Sequence, residues 1–219
     1  NSVPQGGIEQ VREMEPDEET GTTIRFKPLQ DMFETTEFNF LTLENRLQEL
    51  AYLTPGVRIS LVDERETDAD GEYRQKTFKY DGGIIEFVKH LNVSSEPVHD
   101  DIMYFEGEED GRHVEIAMQF SDKSHESIHT FANNIETTDG GTHLTGFKTS
   151  LTRVVKDYGE ENNLIGEEVT LKGADIREGL TAIVSVKHPD PQFAGQTKTK
   201  LGSHEMRSIV SGIMHDEFE

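Results

Sequence analysis

Apolar residues recur at every third or fourth position in four stretches of the chain, which is the spacing of one face of an α-helix. The first stretch covers residues 41–53, the second follows Gly83, the third follows Gly141 and the fourth lies near the C-terminus. We expect Thr142 to cap the third helix and Ser203 to cap the fourth, because a hydroxyl can accept a free backbone N–H at a helix start. The apolar positions of the four predicted helices are Leu43, Leu47, Leu50 and Ala51; Ile84, Phe87, Val88 and Leu91; Leu144, Phe147, Leu151, Val154, Val155 and Tyr158; and Met206, Ile209, Val210 and Ile213.

Other stretches alternate apolar and polar residues, which predicts β-strands with one buried face. The clearest alternation covers residues 114–120, and the Asp110–Gly111 pair before it predicts a hairpin turn. A second hairpin is expected where residues 57–61 and 78–80 alternate on either side of an acidic loop. Shorter alternations occur at 23–26, 102–104 and 182–186. Since helices and strands mix without strict alternation, the predicted fold class is α+β.

The charge of the chain is strongly unbalanced, with 43 acidic and 21 basic residues and a formal net charge of -22. The acidic residues are spread over every segment and do not form one tail. We interpret them as a surface suited to a saline cytoplasm, where salt screens the repulsion between the charges. An acidic protein from a cell without high salt is the alternative. Such a charge by itself disfavours contact with nucleic acid.

Length and residue types narrow the class of protein further. A chain of 219 residues predicts one large or two modest domains. The sequence has no cysteine, no apolar run of transmembrane length and no signal-peptide pattern, which disfavours a disulfide scaffold, a membrane span and a secreted protein. A cytoplasmic protein is the simple expectation. Because the chain begins with Asn1 and not with methionine, we expect a piece of a longer protein.

Residues 125–129 read HESIH, which matches the HExxH pattern of zinc hydrolases. On a helix, this pattern places two histidines on one face for zinc, with the glutamate as general base. The neighbouring Ser127 and Thr130 are poor helix formers, and no convincing third ligand follows. We therefore expect no metal site here and interpret His125 and His129 as surface residues of a strand or loop; a metallohydrolase would require a helix through this segment.

The pair Gly140–Gly141 precedes the third predicted helix and follows Asn133 and Asn134 along the chain. Free backbone amides at a glycine turn before a helix can bind an anion. The same glycines can equally form a tight turn and a helix start. The sequence leaves both interpretations open.

A loop shaped by proline and glycine covers residues 188–202 and contains Gln196, Lys198 and Lys200. Two lysines beside hydroxyl and amide groups form a compact cationic site in an acidic chain, which suits a phosphate. A lysine ammonium there can stabilise charge on a phosphoryl group in the transition state, while Gln196 donates a hydrogen bond. A solvated surface loop is the alternative.

Five segments of the sequence resemble the gyrase B family of type II DNA topoisomerase subunits, in the order and close to the spacing of that family. The resemblance runs from about Pro4 to Glu219. The segments are TGTTIRF (20–26), TEFNFLTLENRLQELAYLTPGVRISLVDER (36–65), FANNIETTDGGTHLTGF (131–147), REGLTAIVSVKHPDPQF (177–193) and GQTKTKLG (195–202).

The resemblance implies two domains and a nucleotide-contacting loop. Residues 1–80 would be the C-terminal part of a GHKL-type ATPase domain, and residues 81–219 would be a transducer domain, whose α+β fold is related to a ribosomal-protein domain. The family's QTK loop reaches into a neighbouring ATP pocket. The resemblance therefore implies that Lys198 contacts the γ-phosphate and that Gln196 assists it. Thr22 would line the nucleotide pocket.

The resemblance also implies cofactors and partners. The intact enzyme would use ATP with Mg²⁺, would join a gyrase A-type subunit in a heterotetramer on DNA, and would dimerise through its B subunits when ATP binds. The family's catalytic glutamate, Mg-binding asparagine and glycine-rich lid lie upstream of these 219 residues. We therefore expect the fragment alone to bind no cofactor and to be inactive.

In the mechanism that the resemblance implies, two subunits close as a clamp on a DNA segment, and Lys198 couples the nucleotide state to a rotation of the transducer domain. Lys148 and Arg153 lie on the helix that would help to wall the DNA cavity, so they are candidate contacts to the DNA backbone. Surface cations without such a role are the alternative. A topoisomerase IV-type decatenase subunit and a non-catalytic nucleic-acid-binding module are the alternative functions.

Overall fold

The computed structural model of this chain describes residues 6–18, 20–23, 29–166 and 169–218. Contacts divide the chain into two compact units, residues 1–38 and 39–219. The described residues of the first unit form no helix or strand. The strand expected at 23–26 lies outside the described residues from position 24 onward.

The second unit combines a small hairpin, a larger sheet and several helices. Its described residues form five helices and seven strands: α1 (Phe40–Tyr52), β1 (Ile59–Thr67), β2 (Tyr73–Phe78), α2 (Gly83–Leu91), β3 (Met103–Glu109), β4 (Arg112–Phe120), β5 (Ser127–Ala132), β6 (Ile135–Glu136), α3 (Thr142–Glu161), α4 (Gly173–Ile176), β7 (Leu180–Lys187) and α5 (Glu205–Phe218). Across the described ranges, none of the helices combines the length and the apolar character that a bilayer span requires.

The larger sheet has the strand order β3-β4-β7-β5-β6, and β1 and β2 form a separate antiparallel hairpin. Neighbours in the larger sheet are antiparallel except β5 and β7, which run parallel. Asp110 and Gly111 form the turn between β3 and β4 with φ of 52° and 70°, as two-residue hairpin turns of this kind require. Both predicted hairpins and the α+β class are confirmed.

Helices pack on both faces of the larger sheet. Side chains of a strand alternate between the faces, so Ile116 of β4 lies in the apolar cluster that includes α3 and α5, whereas its neighbour Ala117 lies in the cluster that includes α1 and α2. The apolar stripes of the predicted helices supply these clusters, for example through Phe87 of α2 and Leu151 of α3, both buried. Because both faces are covered, the central strand β7 is buried along nearly its whole length.

The two expected helix caps are wrong. α3 begins at Thr142 itself, and the Thr142 hydroxyl donates to the backbone oxygen of Ser203 at 2.6 Å. The hydroxyl of Ser203 accepts the backbone N–H of Gln192 at 2.9 Å instead of an amide of α5. Each hydroxyl therefore bonds to backbone outside its own helix, because tertiary hydrogen bonds compete with local capping.

Candidate functional site

The segment after β7 folds back on itself as a narrow loop, residues 188–202, which we call the Lys198 loop. Phe193 lies opposite Leu201 in an antiparallel bridge. The Ala194 N–H donates to the Lys200 carbonyl at 3.0 Å. These contacts hold the two arms of the loop together and leave the GQTKT sequence as its tip.

Lys198 lies at this tip, exposed and in a left-handed backbone conformation with φ of 57°. Its N–H donates to the Gly195 carbonyl at 3.0 Å, which closes a tight turn. This backbone conformation costs a residue with a side chain about 1 kcal/mol. The Lys198 Nζ lies 5.6 Å from the centre of the Phe193 ring, and no carboxylate in the described part of the chain pairs with it. The tip therefore presents Lys198 together with the exposed amide of Gln196.

The returning arm of the Lys198 loop is bonded to the glycine turn before α3. The Leu201 N–H donates to the Gly140 carbonyl at 3.0 Å, and the Thr142 N–H donates to the Leu201 carbonyl at 3.1 Å. Gly141 lies between them at φ of 141°, where a Cβ atom would collide with the backbone of Leu201. The glycine turn therefore binds the returning arm of the loop. The Thr142 N–H, which could have bound an anion, donates to the Leu201 carbonyl instead.

The outgoing arm of the loop begins at His188, whose side chain is buried. The Asp190 N–H donates to its Nδ1 at 3.0 Å, and its Nε2 donates to Glu205 Oε1 at 2.9 Å. Arg112 Nη2 lies 3.3 Å from the same carboxylate oxygen. Hydrogen bonds from the backbone amide of Glu205 and from His188 hold the pKa of Glu205 below its usual value. This cluster ties the start of the loop to β4 and α5.

The two predicted DNA contacts on α3 both pair with carboxylates. Lys148 Nζ donates to Glu126 Oε1 at 2.6 Å, and Arg177 donates to the other oxygen of Glu126. Burial raises the pKa of Glu126, but these two hydrogen bonds outweigh burial, so the pKa is lowered overall. Arg153 is exposed, and its Nε lies 3.4 Å from Asp157 Oδ2. Lys148 is therefore part of a partly buried ion cluster, whereas Arg153 is accessible.

Residues 125–129 form a loop and the start of β5, not a helix. Glu126 is taken up by the ion cluster with Lys148, and His129 Nδ1 lies 3.6 Å from Glu136. Among the residues that the structure describes, no group of histidines and carboxylates is placed to hold a metal ion. This segment therefore does not have the arrangement that a zinc hydrolase of the HExxH type uses.

Thr22, the remaining predicted site residue, belongs to the unit of residues 1–38, where it is exposed and outside any helix or strand. Sequence reasoning missed the residues that hold the Lys198 loop at its start. His188 and Arg112 are 76 positions apart in the chain, so no local pattern joins them. The sequence did contain one indication of Asn133, because two asparagines between strand-like runs indicate a hairpin turn.

Comparisons with known proteins agree with the fold. The family model for DNA gyrase B matches residues 83–219. The gyrase B protein of Haloferax lucentense is 56% identical over 212 residues, which cover 96% of this chain and 32% of that protein. The chain therefore spans about a third of the length of this relative.

Two solved structures are similar to the chain over most of its length. The 43K ATPase domain of Thermus thermophilus gyrase B, solved in complex with an aminocoumarin, has a TM-score of 0.73 and 31% identity, covering 88% of this chain and 50% of that one. The gyrase B protein from Myxococcus xanthus has a TM-score of 0.74 and 26% identity, covering 88% of this chain and 59% of that one.

Proposed function

Since this chain belongs to the DNA gyrase B family, we propose that it is part of an ATP-dependent type II DNA topoisomerase subunit in which the Lys198 loop senses the γ-phosphate of ATP. The observation that carries the proposal is the cation at the loop tip. Lys198 is exposed, held in a left-handed turn and without a carboxylate partner in the described residues. In a chain with a net charge of -22, a lysine held in this way suits a phosphate.

The donors at the tip fit a terminal phosphate. Lys198 offers an ammonium group, and the exposed Gln196 offers a neutral N–H donor. ATP with Mg²⁺, when bound in the intact enzyme, supplies the phosphoryl group whose charge these donors would stabilise. Thr22 would line the nucleotide pocket. Because the arms of the loop are bonded to each other and Leu201 is bonded to the turn before α3, a displacement of the tip would reach that helix.

We also propose a domain boundary near residue 80, with the end of the ATPase domain in 1–80 and the transducer domain in 81–219. The start of the family match at residue 83 supports this boundary. The β1–β2 hairpin, which contributes no strand to the larger sheet, supports it too. Tyr52 stacks on Phe87 across the boundary, with 4.7 Å between ring centres. The two proposed domains would therefore be packed against each other at this point.

DNA and a gyrase A-type subunit are the partners that this function implies, in a heterotetramer whose B subunits dimerise when ATP binds. Arg153 is the stronger candidate for contact with the DNA backbone, because it is exposed and its pair with Asp157 is a weak surface pair. Lys148 would first have to leave Glu126. Because this function needs both ATP and DNA, we place the protein in the cytoplasm. Its acidic surface and its identity to a protein of halophilic Haloferax support a halophilic source.

The test uses the full-length subunit that contains this chain, with its partner subunit and DNA, over a range of salt. ATP turnover and nucleotide binding are compared for the wild type, Lys198→Ala and Lys200→Ala. The second variant is the matched control, because it removes the same charge from the same loop. We expect Lys198→Ala to lose roughly 100-fold in turnover while nucleotide binding is largely kept, and Lys200→Ala to stay close to the wild type.

Unchanged turnover in Lys198→Ala would overturn the assignment of Lys198 as the phosphate sensor. Equal losses in both lysine variants would point to the total charge of the loop and contradict a specific role. Supercoiling of relaxed circular DNA and decatenation of linked circles, measured with the same preparations, separate the gyrase activity from that of a topoisomerase IV-type subunit.

A further inference from the structure

The turn between β5 and β6 consists of Asn133 and Asn134, with φ of 50° and 62°. A two-residue hairpin turn requires positive φ at both positions, and asparagine tolerates this better than other residues with a side chain. Glycine would meet the backbone requirement equally well. Both asparagine side chains, however, form hydrogen bonds to distant parts of the chain, so the turn does more than reverse its direction.

Asn133 holds the backbone at the start of the Lys198 loop. Its Nδ2 donates to the His188 carbonyl at 2.8 Å, and the His188 N–H donates to its Oδ1 at 2.8 Å. The Asn133 N–H donates to the Val186 carbonyl at 2.8 Å. One side-chain amide thereby satisfies both backbone groups of His188, as a paired strand would. The β5–β7 ladder is in effect extended past the end of β7, to the point where the loop leaves the sheet.

The segment that begins at this turn also holds the other end of the loop. The Asp139 N–H donates to the Thr199 carbonyl at 2.8 Å, next to the bonds between Leu201 and the glycine turn. Residues 133–142 therefore contact both arms of the Lys198 loop. At the start of the loop, the contact with the His188 backbone is made by the Asn133 side chain, whereas at the end of the loop the contacts are made by backbone groups. A substitution can therefore remove the first contact but not the others.

Asn134 makes a different set of contacts from the same turn. Its Nδ2 lies 3.3 Å from Thr54 Oγ1, and its Oδ1 accepts a hydrogen bond from Lys187. Its backbone carbonyl accepts a hydrogen bond from Arg46 of α1 at 2.6 Å. Among the described residues, its side chain forms no hydrogen bond with the Lys198 loop. Asn134 is therefore a natural control for Asn133, with the same backbone conformation and the same residue type.

We infer that Asn133 is a positioning residue for Lys198: its side-chain amide fixes the backbone of His188 and so sets the direction in which the loop presents its lysine. This inference rests on the proposed function of the Lys198 loop. Loss of the amide leaves the return arm attached and the His188 side chain bonded to Glu205, but it removes both hydrogen bonds that fix the His188 backbone, so the outgoing arm loosens at its root. The lysine then occupies a wider range of positions, and the fraction of time it spends in the catalytically useful one falls.

The experiment uses the full-length subunit with its partner and DNA, in four variants: Asn133→Gly, Asn134→Gly, Lys198→Ala and the double variant Asn133→Gly with Lys198→Ala. Glycine keeps the positive φ of the turn, so each glycine variant removes only side-chain contacts. We expect Asn133→Gly to lower kcat on the order of tenfold with little change in KM, and Asn134→Gly to keep kcat close to the wild type. In the Lys198→Ala background, Asn133→Gly should have no further effect.

Amide hydrogen exchange gives a second readout that does not depend on turnover. Peptides covering residues 189–202 should exchange faster in Asn133→Gly than in Asn134→Gly, while the rest of the sheet is unchanged. Wild-type kcat or wild-type exchange in Asn133→Gly would overturn the inference, as would an equal loss of kcat with and without Lys198. If Lys198→Ala alone has full activity, the proposed function itself fails, and that result is visible without any Asn133 variant.

Discussion

At the scale of single residues, His143 is a buried histidine with one of its two ring nitrogens unused. Its Nε2 lies 3.0 Å from Thr137 Oγ1, and the Thr137 hydroxyl donates to the Thr130 carbonyl at 2.9 Å. Nε2 is thus bonded to the Thr137 hydroxyl, whereas Nδ1 has no partner within the described residues. Burial lowers the pKa of His143 to about 4, because a second proton would place an unpaired charge in the core.

We expect acid to destabilise the protein through His143. The pKa of this group is about 4 when folded and 6.5 in the unfolded chain, so between these values only the unfolded chain binds the proton. The free energy of unfolding should therefore be unaffected well above pH 6.5 and fall as pH decreases towards about 4, by at most about 3 kcal/mol. Urea unfolding measured at several pH values should show a steeper fall for the wild type than for His143→Gln, and parallel curves would contradict the assignment.

At the scale of secondary-structure elements, aromatic stacking joins the N-terminal helix to the rest of the second unit. Tyr52 at the end of α1 is buried, and its ring lies 3.7 Å from the centre of Tyr80 and 4.7 Å from that of Phe87 on α2. Phe87 in turn lies 6.2 Å from Phe131 of β5. The stack connects α1, the segment before α2 and the larger sheet, so these elements should unfold together.

We expect Tyr52→Ala to lower the free energy of unfolding by about 3 to 5 kcal/mol, because it opens a cavity in the middle of the stack. Tyr52→Phe keeps the ring and should cost no more than about 1 kcal/mol. Denaturant unfolding followed by both circular dichroism and tyrosine fluorescence checks the two values. Two separate transitions in the wild type would contradict the idea that α1 and the sheet form one cooperative unit.

At the scale of the whole molecule, the chain has 43 acidic and 21 basic residues, which gives the net charge of -22. Some carboxylates have local partners, as Glu126 has in Lys148 and Glu205 has in Arg112. The net charge of -22 has no counter-charge in the chain. Self-repulsion should therefore destabilise the folded state at low salt, because the unfolded chain spreads the same charges further apart.

We expect stability to rise with KCl concentration. The screening length falls from about 10 Å at 0.1 M to about 3 Å at 1 M, so the repulsion between surface carboxylates weakens over this range. The urea midpoint should increase accordingly. A variant with four exposed glutamates replaced by glutamine should be more stable than the wild type at low salt and less sensitive to added salt; the positions are Glu108, Glu109, Glu160 and Glu161. A midpoint that does not change with salt would refute this explanation.

The sequence by itself determined most of the elements of the second unit and the class of fold, although it predicted neither α4 nor β6. The apolar stripe after Gly141 predicted α3, and the alternation from Val114 to Phe120 predicted β4, because helix and strand periods are local properties of the chain. The Asp110–Gly111 turn was equally readable, since few residues accept positive φ. The family segments, such as GQTKTKLG, pointed to the gyrase B family, which the family model confirms.

Only the tertiary structure decided which groups meet. Thr142 and Ser203 were expected to cap their own helices, but the Thr142 hydroxyl bonds to backbone 61 positions away and the Ser203 hydroxyl to backbone 11 positions away. Asn133 holds His188 across a separation of 55 residues, and the Thr142 N–H, which an anion could have used, donates to the Leu201 carbonyl of the Lys198 loop. A side-chain hydroxyl or amide could form a hydrogen bond with many groups along a chain. For Asn133, the parallel pairing of β5 with β7 brings His188 within reach.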